Sequence, residues 1–378
     1  MESCKSPATP SRGASSESFA IRAKNHYVGI AELAESSTVI TTTIGGRAHI
    51  ASLSTVGMII STLGACSPSS TPEVAGGIVV VLTIDWEGAY ISPDGLDAIA
   101  DLRTSLGAPP LTHFVSAAYF TKQRPDPTLV STLAAAIHRG DELAVHLHAW
   151  QSLAAASRVE AKLSPSFLTG TDKVLEFEDQ DRGFDVDLDV YDAVELRDLL
   201  RTSRRLLEQT HLPVSKAFRA GGYLGTPKML QAIWDEGCSV DSSATDYRQL
   251  EGETDQLPRR LKQLWPNLES TAQPFFVPVP GGQLLELPIS AIADYTPTPV
   301  IVSLFESAHA QLRKTPGRDV FVVLGFHQET APDFAGRIVQ AIKAVRGRGE
   351  LAGELTFTTM EQAAERARAQ MQMPDQRI

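Results

Sequence analysis

Hydrophobic runs alternate with amphipathic segments along most of the chain. The unbroken, mostly β-branched run at residues 78–84 is typical of a strand that is buried on both faces. Similar runs occur later, at residues 111–120, 142–148, 217–223, 284–290 and 320–327. Between the runs, apolar residues recur at helical spacing. Helices are predicted at residues 129–137, 196–207, 226–237, 301–314 and 331–347.

The alternation of strands and helices predicts an α/β fold, in which helices join parallel strands into a barrel or a doubly wound sheet. The sequence has no internal repeat at a solenoid period. In both architectures the functional site lies beyond the carboxyl ends of the strands. The polar residues that follow the strands are therefore the candidates for chemistry.

Two carboxylates, Asp85 and Glu87, follow the first strand directly. Residues at i and i+2 of an extended chain project to the same side, so both carboxylates face one way. Such a pair at the end of an apolar strand is costly unless a metal or hydrogen bonds stabilise it. A helix N-cap needs one carboxylate, not two. We therefore expect a functional pair, of which either member could bind a metal.

His146 and His148 repeat this spacing at the end of a later strand. Two imidazoles on one face can take adjacent positions around one metal ion. Amidohydrolase barrels also contain His-X-His, but on the first strand and with further histidines and a lysine. Two histidines and a carboxylate also compose the non-haem iron triad, but no third histidine has the spacing of that pattern.

Three further strand ends carry polar residues. Arg219 precedes Ala-Gly-Gly-Tyr223, where the glycines let the backbone approach a ligand and the Arg could hold Asp85 ionised. Asp241 follows a short strand, where a turn is an equally good interpretation. His327 ends the last buried run.

Together these elements resemble the polysaccharide deacetylase family, the NodB-homology domain of carbohydrate esterase family 4. The resemblance covers about residues 78–360. It implies an irregular (β/α)7-type barrel. The Asp-X-Glu at residues 85–87 is similar to the family's first motif, and His146 matches the first histidine of the second. Residues 219–223, Asp241 and His327 fall where the third, fourth and fifth motifs lie.

The chain departs from the family's pattern at the metal ligands. Trp86 stands where a second aspartate usually binds the metal, so the metal ligand is assigned to Glu87. Trp150 stands where the second histidine is usual, so that ligand is assigned to His148. The third motif also lacks its Pro and the fourth its Trp.

The resemblance implies one divalent metal ion, Zn²⁺ first, with Co²⁺, Ni²⁺ or Fe²⁺ as alternatives. The ion would be held by Glu87, His146 and His148. The aromatic residues Trp86, Trp150 and Tyr223 could stack on a sugar ring of the substrate, although core packing is the default interpretation for any one of them.

In the implied reaction, Asp85 acts as general base and is oriented by Arg219. His327, tuned by Asp241, protonates the leaving amine. We expect a hydrolase that removes an acetyl group from an N-acylated sugar or related amide. The alternatives are a hydrolase of cyclic amides or O-acyl esters, and a non-catalytic surface protein that binds glycans.

The N-terminal segment predicts a location outside the cytoplasm. Leu63-Gly-Ala-Cys66 follows a short apolar run and resembles the lipobox of bacterial lipoproteins, in which the Cys is lipidated. The alternative is a buried helix that ends in an inert Cys. The protein would be anchored to the membrane by lipid, in the periplasm or at the cell surface. The predicted divisions are a disordered leader or residues before the true start (1–46), a signal peptide (47–65), a linker (66–77), the catalytic domain (78–365) and a tail (366–378).

The net charge of −11 argues against nucleic acid as a partner, because phosphates attract Lys and Arg clusters. The three cysteines are scattered and form neither a disulfide framework nor a zinc-knuckle spacing. Residues 176–192 are rich in carboxylates. They predict a solvated loop, because their spacing lacks the Gly and terminal Glu of a calcium-binding EF-hand.

Overall fold

The computed structural model describes residues 76–177, 180–251, 256–349 and 353–372. The predicted leader, the signal peptide and the lipidation site Cys66 lie outside these ranges. Among the helices of the described ranges, none combines the length and the apolar character needed to cross a membrane.

The strands are short, and several end at candidate site residues. They are β1 (Ile78–Trp86), β2 (Thr112–Ser116), β3 (Glu142–Leu147), β4 (Val214–Ala220), β5 (Val240–Asp241), β6 (Phe275–Val279), β7 (Gly282–Glu286), β8 (Ala291–Ile292), β9 (Val320–His327) and β10 (Leu355–Thr358).

Helices follow most of the strands. They are α1 (Pro93–Leu106), α2 (Leu129–Ala136), α3 (Gln151–Ala156), α4 (Ala193–Leu207), α5 (Pro227–Asp235), α6 (Gln256–Leu264), α7 (Thr298–Lys314), α8 (Ala331–Arg346) and α9 (Met360–Gln372). The last helix continues past residue 365, where the sequence analysis ends the catalytic domain.

The sheet is mostly parallel and curls into a barrel. Its order is β6-β7-β5-β4-β3-β2-β1-β9-β8, with β10 beside the first half of β1, and the β6–β7 pair is antiparallel. Residues 287–290 continue from β7 and bond to strands on both sides. Leu287 N donates to Asp241 O at 2.9 Å, and Ser290 N donates to Val323 O at 2.8 Å. The segment therefore joins β5 to β9, which confirms the predicted α/β barrel.

Side chains of each strand alternate between the barrel interior and the outer layer of helices. In β1, Val79 and Val81 belong to the inner cluster, whereas Leu82, Ile84 and Trp86 belong to the outer one. Asp85 and Glu87, at the end of β1 and just after it, lie on the same inward side as Val79 and Val81. The inner cluster is closed at its other end by small apolar residues of α9, including Met360 and Ala363.

The middle of the acidic stretch, residues 181–187, is not a solvated loop, which corrects the expectation for that part, whereas Glu176 and Asp192 are exposed. Asp181, Asp185 and Asp187 are buried. Asp181 pairs with Lys122 at 2.7 Å, and Asp187 pairs with Arg260 at 2.8 Å. These carboxylates tie the segment between β3 and α4 to its neighbours, which places Phe184 beside the end of β3.

Candidate metal centre

Three side chains converge at the carboxyl ends of β1 and β3. The ligand atoms of Glu87, His146 and His148 all lie within 4.8 Å of one another, and the three residues are buried. Glu87 Oε2 lies 2.5 Å from His148 Nε2, and Glu87 Oε1 lies 3.5 Å from His146 Nε2. His146 and His148 occupy positions i and i+2 at the end of β3, so both side chains project to the same side. Asp85 and Glu87 have the same spacing at the end of β1.

The proton positions on the two imidazoles decide what the cluster can bind. His146 Nδ1 lies 3.0 Å from Arg219 O, and His148 Nδ1 lies 2.6 Å from Phe184 O. A carbonyl oxygen accepts hydrogen bonds only, so each Nδ1 carries the hydrogen and each Nε2 of a neutral ring presents a lone pair. The two Nε2 atoms are 3.1 Å apart and face Glu87.

Glu87 Oε2 has no hydrogen-bond donor among the described residues, although it is buried. When both rings are neutral, two imidazole lone pairs and a carboxylate therefore face one another without a proton between them. Such a set is stabilised by a cation, and two nitrogens with one oxygen are a usual donor set of a zinc site that keeps an open position. The carbonyls behind the imidazoles fix the ring orientations as metal sites require. The residues therefore fit the implied metal ion.

The charges within this cluster shift its pKa values. Burial by itself raises the pKa of Glu87, but the two imidazoles hold it well below its usual range. Burial by itself lowers the pKa of His146, but the Glu87 carboxylate raises it above its ordinary value. The lowered pKa of Glu87 and the raised pKa of His146 have the same cause, which is that the Glu87 carboxylate attracts positive charge between the two rings.

Asp85 lies beside the cluster and is held by two donors. Arg219 Nη1 donates to its Oδ1 at 2.6 Å, and the Tyr223 hydroxyl donates to its Oδ2 at 3.3 Å. Arg219 is itself fixed by Thr83 Oγ1 at 2.9 Å and by Ser242, whose carbonyl and hydroxyl oxygens each accept at 2.9 Å. The Arg219–Asp85 contact that the sequence analysis expects is present.

His327 lies on the other side of Glu87, with its Nε2 at 3.3 Å from Glu87 Oε1 and 3.1 Å from the Tyr223 hydroxyl. Its Nδ1 lies 3.0 Å from Asp294 Oδ1. Burial by itself lowers the pKa of His327, but the nearby carboxylates, Asp294 first, raise it to about 10. Burial and the Asp85 charge raise the pKa of Tyr223 well above its usual range, so its hydroxyl keeps its proton.

The partner predicted for His327 was wrong. Asp294, which follows β8, contacts the imidazole, whereas Asp241 bonds to Ser243. Val240 belongs to the inner cluster, so the next side chain, Asp241, points to the outer face of the sheet. The rule that selects polar residues at strand ends also applies to Asp294, which could have been found in this way.

Trp86 and Trp150 do not face a substrate site, which corrects their predicted role. Each has an exposed fraction of 0%. Trp86 lies in the outer layer and its Nε1 donates to His113 Nδ1 at 3.2 Å. Trp150 Nε1 donates to Glu87 O at 2.9 Å, so this ring supports the backbone of a candidate metal ligand. Tyr223, the third predicted residue, does reach the site through its hydroxyl.

Two residues that the sequence analysis missed support the candidate metal ligands. Phe184 supplies the carbonyl that orients His148 and stacks on its ring, with centroids 4.5 Å apart. Glu329 accepts from Glu87 N at 3.2 Å and from the Tyr119 hydroxyl at 3.0 Å. Glu329 could have been found from its place two residues after His327, whereas nothing in the sequence marks Phe184.

No family model matches the chain, and no curated protein matches it. Several solved structures are similar to the chain in fold. A Mycobacterium smegmatis protein described as a polysaccharide deacetylase has 17% identity, over 84% of this chain and 99% of that one, with a TM-score of 0.49. The Puue allantoinase has 13% identity over 82% and 96% of the two chains, with a TM-score of 0.46.

A family 4 carbohydrate esterase from Streptomyces lividans, in complex with acetate, has 12% identity over 76% of this chain and 93% of that one, with a TM-score of 0.36. These values are too low for the likeness to assign a function. The function of this chain has to follow from the geometry of its own residues.

Proposed function

We propose that the chain is a metal-dependent hydrolase that removes an acyl group, such as acetyl, from an N-acylated sugar or related amide. One observation carries the proposal. The three metal-binding side chains lie between a carboxylate held by an arginine, Asp85–Arg219, and an imidazole held by a carboxylate, His327–Asp294.

Glu87, His146 and His148 would hold the metal ion, which we expect to be Zn²⁺. When bound there, a divalent ion supplies Lewis acidity toward the acyl oxygen and toward water. The chain's own contribution is to orient the two imidazoles through the carbonyls of Arg219 and Phe184.

Asp85 is placed to take a proton from the attacking water. Its Oδ1 is occupied by Arg219, whose positive charge compensates the buried carboxylate. Its Oδ2 accepts only a long hydrogen bond of 3.3 Å from Tyr223, which leaves that oxygen able to accept from water. These contacts support Asp85 as the general base and Glu87 as the metal-binding carboxylate.

His327 is placed to give a proton to the leaving group. Its Nδ1 faces the Asp294 carboxylate and its Nε2 points toward Glu87 and the Tyr223 hydroxyl. An amine leaves an acyl group readily only when its nitrogen is protonated, whereas an alkoxide or phenoxide needs less help. The His327–Asp294 pair therefore favours an amide substrate over an ester.

The test is acetate release by the purified protein from an N-acetylglucosamine oligomer, compared with O-acetyl xylan and a cyclic amide. We expect the first substrate to be hydrolysed fastest. His146→Ala should lose both bound metal and turnover, whereas the matched variant His138→Ala, on an exposed loop, should keep both. Hydrolysis of none of the three substrates would contradict the proposed activity, and a protein that carries no divalent metal when purified without chelator would instead support a non-catalytic glycan-binding protein.

We also propose that the protein is anchored outside the cytoplasm by lipid on Cys66. The support is the Leu-Gly-Ala-Cys sequence after an apolar run. Cys66→Ala should move the protein from the membrane fraction to the soluble fraction of cells that express it. An unchanged distribution would contradict the anchor.

A further inference from the structure

Two carboxyl groups outside the metal centre are buried side by side. Asp241 on β5 and Glu286 on β7 are register partners in parallel strands, and both have an exposed fraction of 0%. Their chain neighbours Val240 and Leu285 belong to the inner cluster, so both carboxyl groups point to the outer face of the sheet. They are therefore separated from the metal centre by the sheet.

One oxygen of each group has a donor. Asp241 Oδ1 accepts from Ser243 Oγ at 2.7 Å, and Glu286 Oε1 accepts from Ala244 N at 2.9 Å. The second oxygens, Asp241 Oδ2 and Glu286 Oε2, are buried and find no donor in the part of the chain that the structure describes. Two ionised carboxylates there would be two adjacent buried anions, which is strongly unfavourable. One proton between them removes the conflict.

The surrounding charges indicate which group holds the proton. Burial raises the pKa of Glu286 well above its usual range, and the Asp241 charge raises it further. Burial also raises the pKa of Asp241, but hydrogen bonds from Glu286 and Ser243 oppose the increase. Arg219 on β4 lowers both values, and the Cys238 thiol before β5 also lies near Asp241. These directions favour Glu286 as the donor and Asp241 as the acceptor.

The pair anchors the segment that orients Arg219. Ser243 Oγ, which donates to Asp241, accepts in turn from Ala220 N at 2.9 Å. Ser242 lies between these anchored residues, and both of its oxygens accept from the Arg219 guanidinium. The same guanidinium donates to Asp85. A chain of contacts therefore runs from the outer face of the sheet to the general base inside the barrel.

We propose that Asp241 and Glu286 share one proton, and that this hydrogen-bonded pair is a positioning unit. It fixes residues 242–244 and, through Ser242, directs Arg219 toward Asp85. The effect of this pair on catalysis, through Asp85, rests on the proposed function. The shared proton and the position of Arg219 can be measured without any turnover.

The shared proton is tested by infrared difference spectroscopy of the metal-loaded protein at neutral pH. Wild type minus Glu286→Gln should show the C=O stretch of a buried protonated carboxyl. The control variant Glu208→Gln alters an exposed carboxylate and should show no such band. A protonated-carboxyl band that is equal in wild type and Glu286→Gln would refute the shared proton.

The positioning role is tested by hydrogen exchange of the Arg219 side-chain Nε–H, assigned by NMR with Arg219→Lys. In Glu286→Gln the amide still donates to Asp241 and still accepts from Ala244 N, so exchange should stay within about 3-fold of wild type. Glu286→Met removes both contacts and should speed exchange at least about 10-fold. Equal exchange in the Gln and Met variants would overturn the positioning role, whatever substrate the enzyme has.

Discussion

Arg219 is the residue on which the position of Asp85, the proposed general base, depends. Its guanidinium is fully buried, lies 4.2 Å from the centre of the Phe114 ring and donates to Thr83, Asp85 and Ser242. Arginine suits this place because its planar fork offers donors in fixed directions. Removing one partner of a buried ion pair leaves an uncompensated charge, which costs about 3–5 kcal/mol. A change at Arg219 or Asp85 is therefore tested on protein that has been shown to be folded.

Asp85→Asn keeps the shape of the side chain but removes the base. We expect kcat to fall by about 10²–10⁴-fold, the usual contribution of a general base. The bound metal should stay at the wild-type level, because Asp85 is not among the three converging ligands. Kinetics on the acetylated oligomer, with metal content measured on the same sample, checks both parts. Loss of the metal would mean that Asp85, not Glu87, is the metal-binding carboxylate.

Asp294→Asn should separate amide substrates from activated esters. His327 loses the carboxylate beside its Nδ1, so proton donation to an amine leaving group weakens. We expect at least a ~10-fold fall in kcat on the amide and a smaller fall on 4-nitrophenyl acetate, whose leaving group needs no proton. Asp333→Asn, on the exposed side of α8, is the control. Equal losses on both substrates would argue against His327 as the acid.

The turn after β4 shows how closely an element is fitted to the site. A Cβ at Gly221 would lie 2.6 Å from His148 Nδ1 and 2.7 Å from Leu147 O. Gly221→Ala should therefore displace the imidazole and weaken metal binding by about 10–100-fold, as the loss of a supporting contact does. Gly336→Ala, in α8 with open space around it, should leave binding unchanged. Calorimetric titration with Zn²⁺ measures both, and unchanged affinity in Gly221→Ala would contradict the fit.

The elements that the sequence predicts are those with a strong apolar pattern. β1, β3 and β9 could be predicted because each is a continuous buried run of mostly apolar residues. Helix α9 was missed because its buried residues are mostly alanines among charges, which give little hydrophobic contrast. Strand β6 was missed because it is half-exposed and antiparallel, with Pro278 within it.

The metal cluster could be predicted because alternation within one strand fixes the relation of two side chains. The role of Asp241 could not, because it depends on which face of a two-residue strand points inward. Two residues are too few to show an alternating pattern, so the sequence does not reveal which of them faces the barrel interior. Phe184 could not be predicted either, because it reaches His148 from a loop of irregular structure.

At the scale of the whole molecule, Asp141 joins β2, α1 and the loop before β3. Its carboxylate accepts from Arg103 at 2.6 and 3.0 Å, from Leu111 N at 2.9 Å and from His138 N at 2.8 Å. Burial by itself raises the pKa of Asp141, but the bonds from His113 and Arg103 hold it well below its usual range. The ionised carboxylate is thus favoured by folding.

This depressed pKa makes stability depend on acid. The unfolded chain takes up the proton near pH ~3.9, whereas the folded chain resists it. The free energy of unfolding contributed by Asp141 is therefore complete above that pH and is lost as pH falls toward the folded pKa. Asp141→Asn should be destabilised at neutral pH by about 3 kcal/mol, because Arg103 loses its partner, and the difference from wild type should shrink in acid. Urea unfolding at several pH values checks this, and a pH-independent difference would contradict it.

The barrel as a whole brings the carboxyl ends of β1, β3, β4 and β9 together. The proposed hydrolysis requires a metal ion bound at these strand ends. The most direct measurement is the metal content of protein purified without chelator, by elemental analysis, beside a Glu87→Gln variant. We predict one divalent ion per chain in the wild type and much less in the variant, whose amide lacks the negative charge between the two imidazoles. A folded wild-type protein without divalent metal, or a variant that binds as much as the wild type, would contradict the account.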